Sequence, residues 1–152
     1  MNNMSDSTFN KSLPIAIGAD HAGFEYKEAI KKKLVADGWQ VTDKGTFSLE
    51  SADYPDFAHP VATMVENKEA AAGILVCGSG NGVCMTANKH KDIRAALCWT
   101  EELASLARQH NNANVLCIPS RFVTSGTAEG MTDTFLATAF EGGRHEKRVG
   151  KI

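Results

Sequence analysis

The sequence predicts a three-layer α/β/α sandwich built on a five-stranded parallel sheet. Two observations carry that prediction: short runs rich in Ile, Val and Leu alternate five times with longer segments of helical spacing, and the chemistry-bearing residues cluster in the loops that follow the apolar runs. A third is length. At 152 residues the chain fits one domain that buries about two-thirds of its unfolded surface, so a single core with helices on both faces of one sheet is affordable.

The run 14–18, ending in Gly18, is the first strand, and Ala19, Asp20, His21, Ala22 and Gly23 form the loop after it. Between residues 24 and 37, Tyr26, Ala29, Ile30, Leu34 and Val35 recur at helical spacing with lysines between them, and Gly38 stops the helix. Residues 39–43 alternate like a second strand, 44–53 form a loop with room to cover something, and Phe57, Val61, Met64 and Val65 fit a second helix begun at Pro55. Ile74, Leu75, Val76 and Cys77 make a third strand that runs into Gly78-Ser79-Gly80-Asn81-Gly82, where every second residue is glycine, and a third helix follows. Residues 93–98 read as the fourth strand, Thr100 caps a helix that runs to about Gln109, and 115–118 form the fifth strand. Residues 127–140, with Met131, Phe135 and Leu136, supply the last amphipathic helix. The polar leader 1–12 is expected to fray, leaving 13–152 as the single domain.

A common order for such a Rossmann- or flavodoxin-like sheet is 2-1-3-4-5, and ligands bind beyond the carboxyl ends of its strands, between strands one and three. The loops at that point carry Asp20 and His21 on one side and residues 77–82 on the other.

Charge and cysteine content narrow the function classes. With 16 basic and 18 acidic residues the chain has a formal charge of −2, which gives no electrostatic reason to expect nucleic acid or a membrane surface as a partner. No segment approaches transmembrane length. Cys77, Cys84, Cys98 and Cys117 form no C-x-x-C pair, so reduced thiols in a cytosol are the simplest account, and no His/Cys/Asp spacing fits a metal.

Cys77 has two readings. Cysteine at a strand end is often a small buried hydrophobe, but a thiol before a glycine turn and a helix N-terminus becomes a better base or nucleophile. The glycine loop is not a dinucleotide loop, because Val83 stands where the third glycine of G-x-G-x-x-G belongs. The same valine occupies the position where a cysteine-dependent phosphatase needs its arginine. A tight G-x-G-x-G turn still presents several N–H groups to one point, which suits an oxyanion or enediolate. Ser79 either relays a proton or caps the following helix. His110 either complements a helix dipole or does general acid work. Arg144 and Arg148, four apart, are either a solvated basic face or a bidentate phosphate clamp that Arg121 is placed to join.

The motifs Gly18-Ala19-Asp20-His21-Ala22-Gly23, Asp43-Lys44-Gly45-Thr46, Asp53-Tyr54-Pro55, Cys77-Gly78-Ser79-Gly80-Asn81-Gly82, Ala87-Asn88-Lys89, Arg108-Gln109-His110-Asn111 and Glu141-Gly142-Gly143-Arg144-His145 stand in an order that resembles ribose-5-phosphate isomerase type B. The resemblance runs from about Pro14 to the C-terminus. It implies a cytoplasmic sugar-phosphate isomerase of the pentose phosphate pathway, without metal or cofactor, that interconverts ribose 5-phosphate and ribulose 5-phosphate through a cis-enediolate. By the same resemblance Cys77 moves the proton between C2 and C1, His110 opens the ring with Asp20 nearby, and Ser79 assists transfers on the oxygens. Gly78, Gly80, Asn81 and Gly82 with Asn111 hold the enediolate, His21, Arg121, Arg144 and Arg148 bind the phosphate, and Tyr54 lines the sugar site. It also implies a homodimer, or a dimer of dimers, with sites shared between subunits. Cys77, together with Val83 where other members carry a glutamate, places the chain in the thiol branch. The wider family also contains enzymes acting on allose 6-phosphate and galactose 6-phosphate. Two rivals from other classes are a flavodoxin-like nucleotide-binding module and a cysteine-dependent hydrolase.

Overall fold

The computed structural model describes residues 8–152. Its elements run β1 (Ile15–Ala19), α1 (Phe24–Ala36), β2 (Val41–Asp43), α2 (Pro55–Glu66), β3 (Ala72–Cys77), α3 (Asn81–Ala87), β4 (Ala95–Leu97), α4 (Glu101–Asn111), β5 (Val115–Pro119), α5 (Ser125–Ala137) and α6 (Arg144–Val149). All four strand pairings are parallel. Each of α1 to α4 therefore carries the chain back from the carboxyl edge of the sheet to its amino edge.

Side chains on β3 alternate between two apolar layers, as the two-residue period of a strand requires. Ile74 and Val76 join Ile15, Ile17, Leu116 and Ile118 under α1, α4 and α5, where Ile30, Leu34, Ala104, Met131 and Phe135 are buried. Leu75 and Cys77 point the other way, into a layer with Val61 and Val65 of α2 and Val83 and Ala87 of α3. The predicted sandwich is thus present, with Cys77 on the α2/α3 side.

The sheet order is β2-β1-β3-β5-β4, so the expected 2-1-3-4-5 is corrected at one edge. Central strands of a parallel sheet are covered on both faces and must be apolar throughout. All five residues of β5 are buried, whereas the three of β4 are only half-buried and Arg94 precedes them. The more apolar strand takes the inner place. This exchange sets the loop after β5 directly beside the loop after β3.

The expected frayed leader is also corrected in part. Residues 1–7 lie outside the described residues, but the Phe9 ring stacks on Phe135 at 5.6 Å and lies 4.3 Å from the Arg108 guanidinium. Lys11 Nζ donates to the carbonyl of Asp37 at 2.8 Å. The chain is therefore anchored to α1, α4 and α5 before β1 begins.

Candidate active site

The order of β1 and β3 reverses the direction of sheet growth, and a cleft of about 490 Å³ opens there at the carboxyl ends of the strands. It is lined from three loops: Asp20, His21 and Ala22 after β1, Cys77, Gly78, Ser79, Asn81 and Gly82 after β3, and Arg121 after β5, with Tyr54 and Met85 at its sides; Gly80 is buried behind the loop.

Backbone bonds stitch these loops together. The N–H of Asp20 donates to Val76 O at 3.3 Å, Ser120 N–H to Cys77 O at 2.9 Å and Arg121 N–H to Gly78 O at 3.0 Å. Ser120 Oγ closes the triangle by donating to Ala22 O at 2.8 Å. Asp20 is 8 % exposed, and its Oδ1 accepts from the N–H groups of Ala22 and Gly23 at 3.0 and 3.1 Å. These bonds close the turn before α1, whose N-cap is Gly23 with no side-chain cap, and they hold the carboxylate at the cleft.

His21 Nδ1 accepts the N–H of Ala52 at 3.1 Å. A neutral ring that accepts at Nδ1 carries its proton on Nε2, so the loop 44–53 fixes His21 as a donor. The loop is tied to the sheet edge in turn: Ala19 N–H donates to Gly45 O at 2.7 Å and Thr46 N–H to Ala19 O at 2.6 Å.

The glycines of 78–82 are required by their neighbours. A Cβ on Gly78 would stand 3.1 Å from the Arg121 guanidinium, and one on Gly82 would come within 2.5 Å of the Tyr54 ring. The Tyr54 ring can lie on the loop only because nothing projects from Gly82, whereas Gly78 meets just the flexible end of Arg121. Gly80, at φ +75°, turns the backbone through the left-handed region into α3. Ser79 is exposed and does not cap α3, whose cap is Gly80; its Oγ accepts the Asn81 N–H at 3.3 Å.

The other cysteines are set apart from Cys77 by burial. Cys98 and Cys117 are buried, and burial pushes the Cys98 thiol up to about 12 and the Cys117 thiol well above its ordinary value. Cys84 is half-buried, and its thiol is held below the ordinary value chiefly by a hydrogen bond with Cys117. Cys77 alone among the four lines the cleft.

His110, Asn111, Arg144 and Arg148 are not in this cleft. α4 starts at the carboxyl edge and its 11 residues span about 16 Å, so His110 and Asn111 reach the opposite edge of the sheet. Asn111 borders a separate cavity of about 480 Å³ with Asn88, Lys89 and Arg94. Arg144 and Arg148 do share one helix face, as their spacing predicts, and with Lys147 and Lys151 they line a basic groove on α6. His110 stacks on His145 with ring centroids 4.2 Å apart and planes inclined by 14°. The expected approach of His110 to Asp20 therefore does not occur within one chain, because the helix that carries it runs antiparallel to the strand that carries Asp20.

The profile of the Ribose/Galactose Isomerase family matches residues 15–152. A structure of ribose 5-phosphate isomerase B from Mycoplasma genitalium with bound ribulose-5-phosphate is 47 % identical, covers 93 % of this chain and 95 % of its own, and superposes with a TM-score of 0.89. A ribose 5-phosphate isomerase from Thermotoga maritima is 50 % identical, with 91 % and 96 % covered and a TM-score of 0.89. Ribose-5-phosphate isomerase B of Escherichia coli is 46 % identical over 138 residues, 91 % of this chain and 93 % of the relative. The chain belongs to the ribose/galactose isomerase family. It is thus a member of a family of isomerases, and its two groups of polar residues sit at opposite edges of one sheet.

Three contributors to the cleft escape sequence reasoning. Met85 lines it from α3, four residues after Asn81, a helical spacing that was available as a signal. Ala22 contributes through a loop position, and Ala52 acts on His21 through a backbone N–H, which no side-chain pattern marks. His59 and His90 lie side by side, with His59 Nδ1 and His90 Nε2 2.7 Å apart. No helix among the described residues is long and apolar enough to cross a membrane.

Proposed function

We propose that the chain interconverts ribose 5-phosphate and ribulose 5-phosphate through a cis-enediolate, with the Cys77 thiolate as base, in sites that two copies of the chain complete together. The observation that carries the activity is the likeness, over nearly the whole chain, to an isomerase structure holding ribulose-5-phosphate. The thiol at the mouth of a glycine loop supplies a chemistry to match it.

In this mechanism Cys77 removes the proton from C2 of the open aldose and returns it to C1, while the proton on the C1 and C2 oxygens is redistributed with help from Ser79. The enediolate charge is stabilised by the loop of Gly78, Gly80, Asn81 and Gly82; a preorganised donor at such a site contributes about 3–4 kcal/mol. His21, with its proton on Nε2, and Arg121 bind the phosphate, and Tyr54 borders the sugar. Among the described residues Asp20 is the one acid lining this cleft, and Arg121 supplies the cation that faces the phosphate.

His110, Asn111, Arg144 and Arg148 come from a second copy. Their place at the far edge of the sheet supports this division, since one chain cannot bring them to its own Cys77. In the composite site the partner's His110 opens the ring opposite Asp20, the partner's Asn111 joins the enediolate cradle, and the partner's Arg144 and Arg148 complete the phosphate clamp. A homodimer is the smallest assembly that satisfies this, and four unpaired cysteines support a reducing, cytoplasmic setting.

NMR of ribose 5-phosphate with the protein in deuterated water tests the reaction. Ketose should accumulate with solvent deuterium on the sugar carbons. Ketose without deuterium would point to a hydride shift, and no ketose would remove the activity. Allose 6-phosphate and galactose 6-phosphate in parallel samples establish the substrate range.

A further inference from the structure

Away from the cleft, three metal-binding side chains, two imidazoles and a carboxylate, converge. His110 Nε2 lies 3.9 Å and His145 Nε2 3.6 Å from Glu141 Oε1, and one ligand atom from each residue falls within 4.8 Å of the other two. An ion held tetrahedrally at about 2.1 Å keeps its ligands about 3.4 Å apart. The carboxylate must close by a few tenths of an ångström toward each ring, and the two stacked rings must tilt together at their Nε2 edges.

The surroundings permit that closure. Glu141 and His110 are half-exposed, so both can move, whereas His145 is 7 % exposed and fixed at the start of α6. Glu141 precedes Gly142 and Gly143, both with positive φ and with open space where a Cβ would be. By contrast, the His59–His90–Glu66 row cannot converge: His90 bonds His59 through one ring nitrogen and faces Glu66 at 3.2 Å through the other.

We propose that His110, Glu141 and His145 bind one divalent transition-metal ion of the zinc class, with the fourth position open to solvent. Two imidazoles and a carboxylate suit zinc, cobalt or nickel and disfavour magnesium and calcium, which take oxygen ligands. Resting on the role given to His110 above, the bound ion inhibits isomerisation, because a metal-bound Nε2 can neither carry nor release the proton that ring opening transfers.

Cobalt(II) titration of the full chain, read by visible d–d absorption, tests the site. Wild type and Cys77→Ala should each take up one ion per chain, and Glu141→Gln should bind about tenfold or more weakly; His145→Asn should behave like Glu141→Gln. Zinc should inhibit turnover over its own binding range, and a chelator should restore it. Absorption lost in Cys77→Ala but kept in Glu141→Gln would move the ion to the thiol and overturn the site. Absence of uptake by an enzyme that turns over would overturn it while leaving the isomerase intact. Uptake at the histidines without inhibition would overturn the inhibitory role and, with it, the role of His110.

Discussion

Cys77→Ala is expected to lower kcat for ribose 5-phosphate by at least about a thousandfold, within the 10²–10⁴ that a positioned acid–base group contributes. The change removes one sulfur from a residue that is 4 % exposed, so the fold should persist, and far-ultraviolet circular dichroism should overlay on wild type. Phosphate binding should persist as well, because His21 and Arg121 are anchored by Ala52 and by Gly78 rather than by the thiol. Deuterium entry into the sugar should fall together with ketose formation, since both pass through the same proton abstraction. Cys84, Cys98 and Cys117 cannot substitute: none lines the cleft, and burial keeps two of them as thiols. Turnover close to wild type in Cys77→Ala would take the base role away from Cys77.

Lys27→Met should cost about 3 kcal/mol of stability, the low end for breaking a buried ion pair. Lys27 is fully buried on α1, and its Nζ lies 2.5 Å from Asp43 Oδ2 and 2.6 Å from Glu28 Oε2, with the Phe24 and Phe47 rings above and beside it. Removing the ammonium leaves the Asp43 carboxylate, itself 8 % exposed, with Lys31 at 3.1 Å as its remaining cation, which keeps the loss from being larger. Burial pushes the Asp43 carboxyl up, but Lys27, the Gly45 N–H and Lys31 outweigh it and hold it below the usual value. A carboxyl lowered in the folded state stabilises the fold above its unfolded value, and that contribution is lost as pH falls through the folded one. The urea midpoint of wild type should therefore fall on acidification in this range, and Lys27→Met should show less of that dependence. A midpoint unchanged by the substitution would contradict the assignment.

The same Asp43 marks where the sequence stops being legible. Lysines between apolar positions of α1 read as a solvent face, and nothing in their spacing separates Lys27, which is fully buried, from Lys31, which is partly exposed. The difference arises only when β2 and the 44–53 loop close over the helix. The exchange of β4 and β5 was readable in part: an unbroken apolar run against one preceded by Arg94 is a difference in sequence, and it decides which strand is central.

Within the site, Asp20, His21, residues 77–82 and Arg121 come together for a topological reason that the alternation of elements already contains. His110 and the tail arginines do not, and the direction of α4 explains it. A residue at the carboxyl end of a helix that follows a strand must sit at the amino edge of a parallel sheet. The proposed link to Cys77 is therefore one that runs through a second copy of the chain.

Mixing two inactive variants measures that link directly. Cys77→Ala and His110→Ala, co-expressed with different tags, should each be inactive as purified homodimers, while the doubly tagged heterodimer contains one site with both residues intact and one with neither. With random pairing, half of the dimers are heterodimers, so the mixture should recover about a quarter of wild-type activity and the isolated heterodimer about half. A heterodimer as inactive as its parents would place Cys77 and His110 in the same chain's site and contradict the composite assembly.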